Sequence, residues 1–152
     1  MIDFEEEIEL LEKYLSLEKL RFKHEFDYQI VVNQISEVTI PPMIVQPFIE
    51  NAIVHGLFHK AGAKRLRVAF SSNEHLVCTI EDNGIGRAAA KQILERKGKN
   101  YTSFSGEALA RRLKVLGQVF KGNFGYTYED IVENGQITGT RVTITIPYKT
   151  RF

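Results

Sequence analysis

Gln46-Pro-Phe-Ile-Glu-Asn-Ala-Ile-Val-His-Gly56 is the stretch on which the fold turns. Placed on a helix, Asn51 and His55 are four residues apart and share a face. Glu50 follows Gln46 by the same interval, on the adjacent stripe. The amide oxygen of Asn51 is a hard donor suited to Mg²⁺, an ion that takes few protein ligands and keeps several waters. The same spacing equally describes an amphipathic helix whose polar side chains face water. Pro41-Pro42 can open the helix, because proline is tolerated in a first turn. The expectation is one helix from there through Met43, Val45, Phe48, Ile49 and Ile53 to Gly56, then a loop over 57–64.

Glu81-Asp-Asn-Gly-Ile-Gly86 stands where an apolar strand ends. A carboxylate buried at a strand end is costly unless it is paired, and the amino group of adenine would give Asp82 a donor. Gly84 and Gly86 have no Cβ, so the backbone there can approach a base closely. Asp-Asn-Gly is also common turn chemistry, and this motif alone leaves both readings open.

Outward from these motifs, residues 4–20 place Ile8, Leu11, Tyr14, Leu15 and Leu17 at helical spacing among Glu and Lys. Residues 26–32 alternate and are β-branched, which predicts a strand, and 38–40 a short second one. Strands over 65–71 and 75–81 flank the turn Ser72-Asn-Glu74 as a hairpin. Residues 87–96 read as helix, 97–106 as a polar, mobile lid, and 106–120 as helix with Leu109, Leu113 and Leu116 on one side. Strands over 124–132 and 140–147 are joined through Glu133-Asn-Gly-Gln136. The order predicts an α/β two-layer sandwich, a mixed, mostly antiparallel sheet covered on one face by helices.

The two motifs, in this order and with a hairpin between, resemble the N and G1 boxes of the ATPase superfamily of DNA gyrase, the heat-shock chaperones, MutL and the histidine kinases. The fold implied is the Bergerat type. Four blocks narrow the resemblance to LytS-type sensor histidine kinases: Tyr14-Leu-Ser-Leu-Glu-Lys-Leu-Arg-Phe22, then Ile40-Pro-Pro-Met-Ile-Val running into the N box, then Glu81 to Arg87, then Gly139-Thr-Arg-Val-Thr-Ile-Thr-Ile-Pro147. Together they span about residues 10–148. The resemblance implies ATP and Mg²⁺ as ligands. Asn51 resembles the magnesium ligand, Glu50 its acidic catalytic neighbour, and His55 a polar position near the phosphates. Asp82 resembles the adenine-binding aspartate, completed by Gly84 and Gly86, and Thr143 a hydroxyl lining the base pocket. Lys60 and Lys64 could meet phosphate charge or stand solvated in their loop. One segment departs from the family. Ser105 occupies a usual glycine of the G2 box, Gly106 is displaced by one step, and Ala108 replaces a helical asparagine. The departure bears on triphosphate and lid more than on adenine.

The resemblance also implies transfer of the ATP γ-phosphoryl group to a histidine, a homodimer in the full-length protein, a response regulator as partner, and a cytoplasmic domain of a membrane-anchored sensor. His24, His55, His59 and His75 all lack the acceptor's sequence context. The acceptor is therefore expected upstream of Met1, with 1–20 as the tail of a dimerisation helix and 21–152 as the catalytic ATP-binding domain. Two other readings stay open. One is a water-activating ATPase using Glu50, which would need a transducer domain after the sheet. The other is a non-catalytic interaction module with a degenerate pocket.

Composition sets the outer bounds. With 43% hydrophobic and 26% charged residues the chain is an ordinary core-forming domain. A net charge of +1, without a nucleic-acid motif, argues against a nucleic-acid partner. The single cysteine, Cys78, excludes an internal disulfide and a multi-cysteine zinc site, and suits a reducing cytosol. It lies in an apolar run and is expected to be buried and inert. The apolar runs fall short of the ~18 residues of a membrane span, and no signal-peptide pattern opens the chain.

Overall fold

The computed structural model describes residues 1–23, 25–35, 37–96 and 104–151, with the backbone alone at 104–106 and 108. A five-stranded sheet runs in the order β2 (Phe26–Asn33), β4 (Lys64–Ser72), β5 (Leu76–Asp82), β7 (Gln136–Ile146), β6 (Gly125–Glu133). Only β2 and β4 are parallel; the other three pairings are antiparallel. Strand alternation sorts the residues. Leu66, Val68 and Phe70, Leu76, Cys78 and Ile80, and Val142, Ile144 and Ile146 are buried on one face. Arg67, Glu81, Arg141 and Glu129 meet on the other, where the Arg141 guanidinium bridges Glu81 and Glu129. An antiparallel sheet tolerates such a solvated face. Cys78 is fully buried, and burial pushes its thiol up, away from reactivity.

The helices cover the apolar face. Helix α1 (Phe4–Arg21) inserts Phe4, Leu11 and Leu15, and α2 (Gln46–Asn51) inserts Phe48 and Ile49, into one core cluster with the strands. Helices α3 (Arg87–Arg96) and α4 (Phe104–Val119) complete the layer. Residues 1–20, expected as a dimerisation tail, therefore pack into the same core as 21–152. Two short strands, β1 (Ile2–Asp3) and β8 (Lys149–Thr150), pair with β3 (Val38–Ile40) as a second small sheet. Nothing in two-residue strands is periodic enough to be foreseen.

Two expectations are corrected, and a third lies mostly outside the described residues. The helix expected from Pro41 begins at Gln46. Met43 takes φ 55°, which no right-handed helix allows, and its N–H is bound by the Glu7 carboxylate at 2.9 Å. That helix then widens into a π-helical segment, Ala52–Leu57, with the Phe58 N–H reaching back five residues to the Ile53 carbonyl. The strand expected from Thr140 begins at Gln136, because Asn134 and Gly135 both take positive φ and make a two-residue hairpin turn. The lid expected over 97–106 lies outside the described residues from 97 to 103, while Ser105 and Gly106 belong to the first turn of α4.

Candidate nucleotide-binding site

Asp82 ends β5 between Leu66 of β4 and Thr140 of β7, in the middle of the sheet. It is 5% exposed. The Gly84 N–H donates to Oδ1 at 2.8 Å and the Thr140 backbone donates as well. Burial outweighs both bonds and pushes the carboxyl up to about 6. A buried carboxylate with acceptor capacity left over is suited to a ligand donor.

Glycines bring the surrounding backbone close. A Cβ on Gly84 would lie 2.4 Å from the Gly56 carbonyl carbon, and one on Gly56 would lie 2.9 Å from Asp82 Oδ1. A Cβ on Gly139 would lie 1.9 Å from the Asp82 carbonyl oxygen. The turn after β5 thus sits directly on the end of the π-helical segment, and the Ile85 N–H donates to the Gly56 carbonyl at 3.1 Å. Asn83 points away and clasps the start of β4. Its Oδ1 accepts from the Arg65 N–H at 2.6 Å and its Nδ2 donates to the Ala63 carbonyl at 3.0 Å. Gly86, at φ 89°, turns the chain into α3.

A cavity of about 290 Å³ opens in front of Asp82. Of the residues singled out in the sequence, Asn51, His55, Asp82 and Gly86 line it. Gly84 stands behind Asp82 as its hydrogen-bond donor. Glu50 lies outside the lining, bonded to Gln46 Nε2 at 3.2 Å and near the Tyr14 hydroxyl of α1. Thr143 pairs with Thr79 and Thr127 on the opposite, solvated face of the sheet; Thr140 is the β7 hydroxyl in the cavity. Lys64 is not solvated, and it lies outside the cavity lining. It is 6% exposed, and its ammonium donates to the Lys60 carbonyl at 2.8 Å. Lys60 lies on the solvated face beside Arg65 and Arg67.

The sequence reading missed the apolar walls, Phe48, Ile80, Tyr128 and Val142, and the two cations of α3, Arg87 and Lys91. The Arg87 guanidinium lies 4.7 Å from the Tyr128 ring centroid. Burial pushes the Tyr128 phenol up to about 12, so it remains a neutral hydroxyl. Alternation from Val142 and Ile144 would have identified Thr140, since even positions of β7 face the helices. Tyr128 gave no such signal, because β6 has few buried residues.

The donor set suits an adenine nucleotide at the base end: an apolar slot, one buried acceptor, and cations beside it. Among the described residues no cluster of three metal-ligating side chains exists. A cation held by the Asn51 amide would complete its shell with phosphate and water oxygens, as Mg²⁺ does at nucleotide sites.

The architecture is that of a histidine-kinase catalytic domain. The catalytic domain of histidine kinase ThkA superposes with a TM-score of 0.62 at 14% identity, over 96% of this chain and 95% of that one. The mycobacterial sensor histidine kinase MprB gives 0.60 at 20%, over 98% and 97%. At such identities the likeness shows the fold, a Bergerat-type sandwich. No family model matches the chain. The sensor proteins LytS of Staphylococcus saprophyticus and Staphylococcus epidermidis are 32% and 31% identical to it over 150 residues, 97% of the chain. The chain is thus similar to the LytS sensor proteins along nearly its whole length, and it spans about a quarter of the length of the LytS proteins it matches. No helix among the described residues is long and apolar enough to cross a membrane.

Proposed function

We propose that the chain is the ATP-binding catalytic domain of a two-component sensor histidine kinase. Asp82 accepts a hydrogen bond from the adenine amino group, and Asn51 contributes an oxygen to Mg²⁺. Bound ATP supplies the γ-phosphoryl group. The protein's share is positioning and charge neutralisation, which dominate phosphoryl transfer. The acceptor is a histidine upstream of Met1, presented by a helix of the same homodimeric sensor, and a response regulator receives the phosphoryl group next. The domain works on the cytoplasmic side of a membrane-anchored protein.

The observation that carries this reading is Asp82, buried at a cavity wall with acceptor capacity left over. The likeness to the LytS sensor proteins supports the reaction. The water-activating alternative draws no support from Glu50, whose carboxylate bonds Gln46 outside the cavity lining. Calorimetry with an ATP analogue, with and without Mg²⁺, tests the binding step. Incubation with γ-labelled ATP tests the transfer: the chain alone should stay unlabelled, and a peptide carrying the upstream helix should acquire acid-labile label. Stable label on the chain itself would refute the placement of the acceptor.

A further inference from the structure

Two buried polar atoms lack a hydrogen-bond partner among the described residues: Oε2 of Glu7 and Nε of Arg112. Glu7 is 2% exposed on the inner face of α1, and Arg112 stands on α4. Both side chains grip one peptide group. The Glu7 carboxylate accepts the Met43 N–H at 2.9 Å through Oε1, and the Arg112 guanidinium donates to the Pro42 carbonyl through Nη2. The two groups are close enough for the Arg112 charge to lower Glu7's carboxyl, although burial raises it overall. A carboxylate so buried is tolerated only when paired. The atoms left over are complementary, one acceptor and one donor.

The gripped peptide is a strained one. Met43 holds φ 55°, a left-handed conformation unfavourable for a side chain with a Cβ. Rotation of the Pro42–Met43 peptide would relieve it. The clamp opposes that rotation by holding the C=O from α4 and the N–H from α1. Three residues later α2 begins, the helix that carries Asn51 to the cavity.

We propose that Glu7 and Arg112 are positioning residues that fix the Pro42–Met43 peptide from both ends and thereby couple α1 to α4 and to the nucleotide cavity. This rests on the nucleotide-site reading above. On that reading α1 lies between the phosphate-accepting helix and the ATP site, so a displacement of α1 acts on α2 through Glu7. Allosteric couplings of this kind typically change affinity by about 5–150-fold.

The full chain carrying Glu7→Gln, Glu7→Ala, Arg112→Gln, or Glu7→Gln with Arg112→Gln tests it. In the ligand-free protein, Met43 amide exchange should accelerate in Glu7→Ala and in Arg112→Gln. Glu7→Gln, which keeps an acceptor, should exchange more slowly than Glu7→Ala. ATP affinity of the folded variants should fall about fivefold or more in each single variant, and the double variant should fall by less than the product of the two. Acceleration confined to the Glu7 variants would overturn the two-ended clamp. Loss of stability with ATP affinity unchanged would show ordinary packing and overturn the coupling. If the parent chain bound no ATP, the nucleotide reading would fail and the coupling with it, whereas the clamp itself would still stand or fall on Met43 exchange alone.

Discussion

The carboxyl of Asp82, held up at about 6 by burial against an ordinary 3.8, makes adenine binding pH-dependent in a range where an exposed aspartate would be silent. Only the ionised form can accept a hydrogen bond from the adenine amino group through both oxygens. Affinity should follow the ionised fraction, about nine-tenths at pH 7 and about one-tenth at pH 5. Binding should weaken about tenfold between these values and release about half a proton per site at pH 6. Adenosine is the ligand of choice, since phosphate groups titrate near pH 6 themselves. Calorimetry in two buffers of different ionisation enthalpy reads affinity and proton release together. The linked stability has a definite sign. A carboxyl whose folded value is raised destabilises the ligand-free fold as it ionises. Stability should therefore decline as pH rises from about 4 through 6, by ~3 kcal/mol for this gap. Asp82→Asn should flatten both dependences, lose adenine binding and gain stability at pH 7. Adenosine affinity constant from pH 7 to 5 in a protein that stays folded would refute the assignment of Asp82 to the base.

Further expectations concern single residues. Asn51→Ala should weaken Mg·ATP by at least about tenfold, the lower end of what losing a group around a metal costs, and metal-free ATP much less; equal losses would make Asn51 a helix residue only. Tyr128→Ala should cost ~1–3 kcal/mol of nucleotide affinity by removing an aromatic wall, with Tyr128→Phe near the parent, both read by titration. Gly139→Ala should destabilise by ~3 kcal/mol or more in denaturant melts, because its Cβ would meet the Asp82 carbonyl oxygen, a backbone atom that cannot swing aside. Phe48→Ala should cost ~3–5 kcal/mol, since its ring is buried in the core and packs 5.6 Å from Tyr126.

The parts that sequence alone determined are those whose chemistry is local. Period-two alternation gave away β4 and β5, and the helical spacing of Ile8, Leu11, Tyr14 and Leu15 gave away α1. Asn134-Gly135 set a hairpin turn because both positions need positive φ. Asp82, Gly84 and Asn51 were singled out by the resemblance, because a carboxylate after an apolar strand, glycines beside it and an amide on a helix each allow a second reading when taken alone. Tertiary structure decided whatever depends on a partner distant in sequence. Proline chemistry permits a helix from residue 41, and it is Glu7 and Arg112, brought in by α1 and α4, that hold the Pro42–Met43 peptide and delay α2 to Gln46. Lys64 reads as a loop cation until the Lys60 carbonyl captures it. Glu50 shares a helix with Asn51, but the turn of that helix sends it toward Gln46 and Tyr14, away from the cavity. The choice of Thr140 over Thr143 is one of pleat parity, fixed by which face of β7 the helices cover. A side chain's type limits the bonds it can make; which bond it makes is set by the elements that surround it after folding.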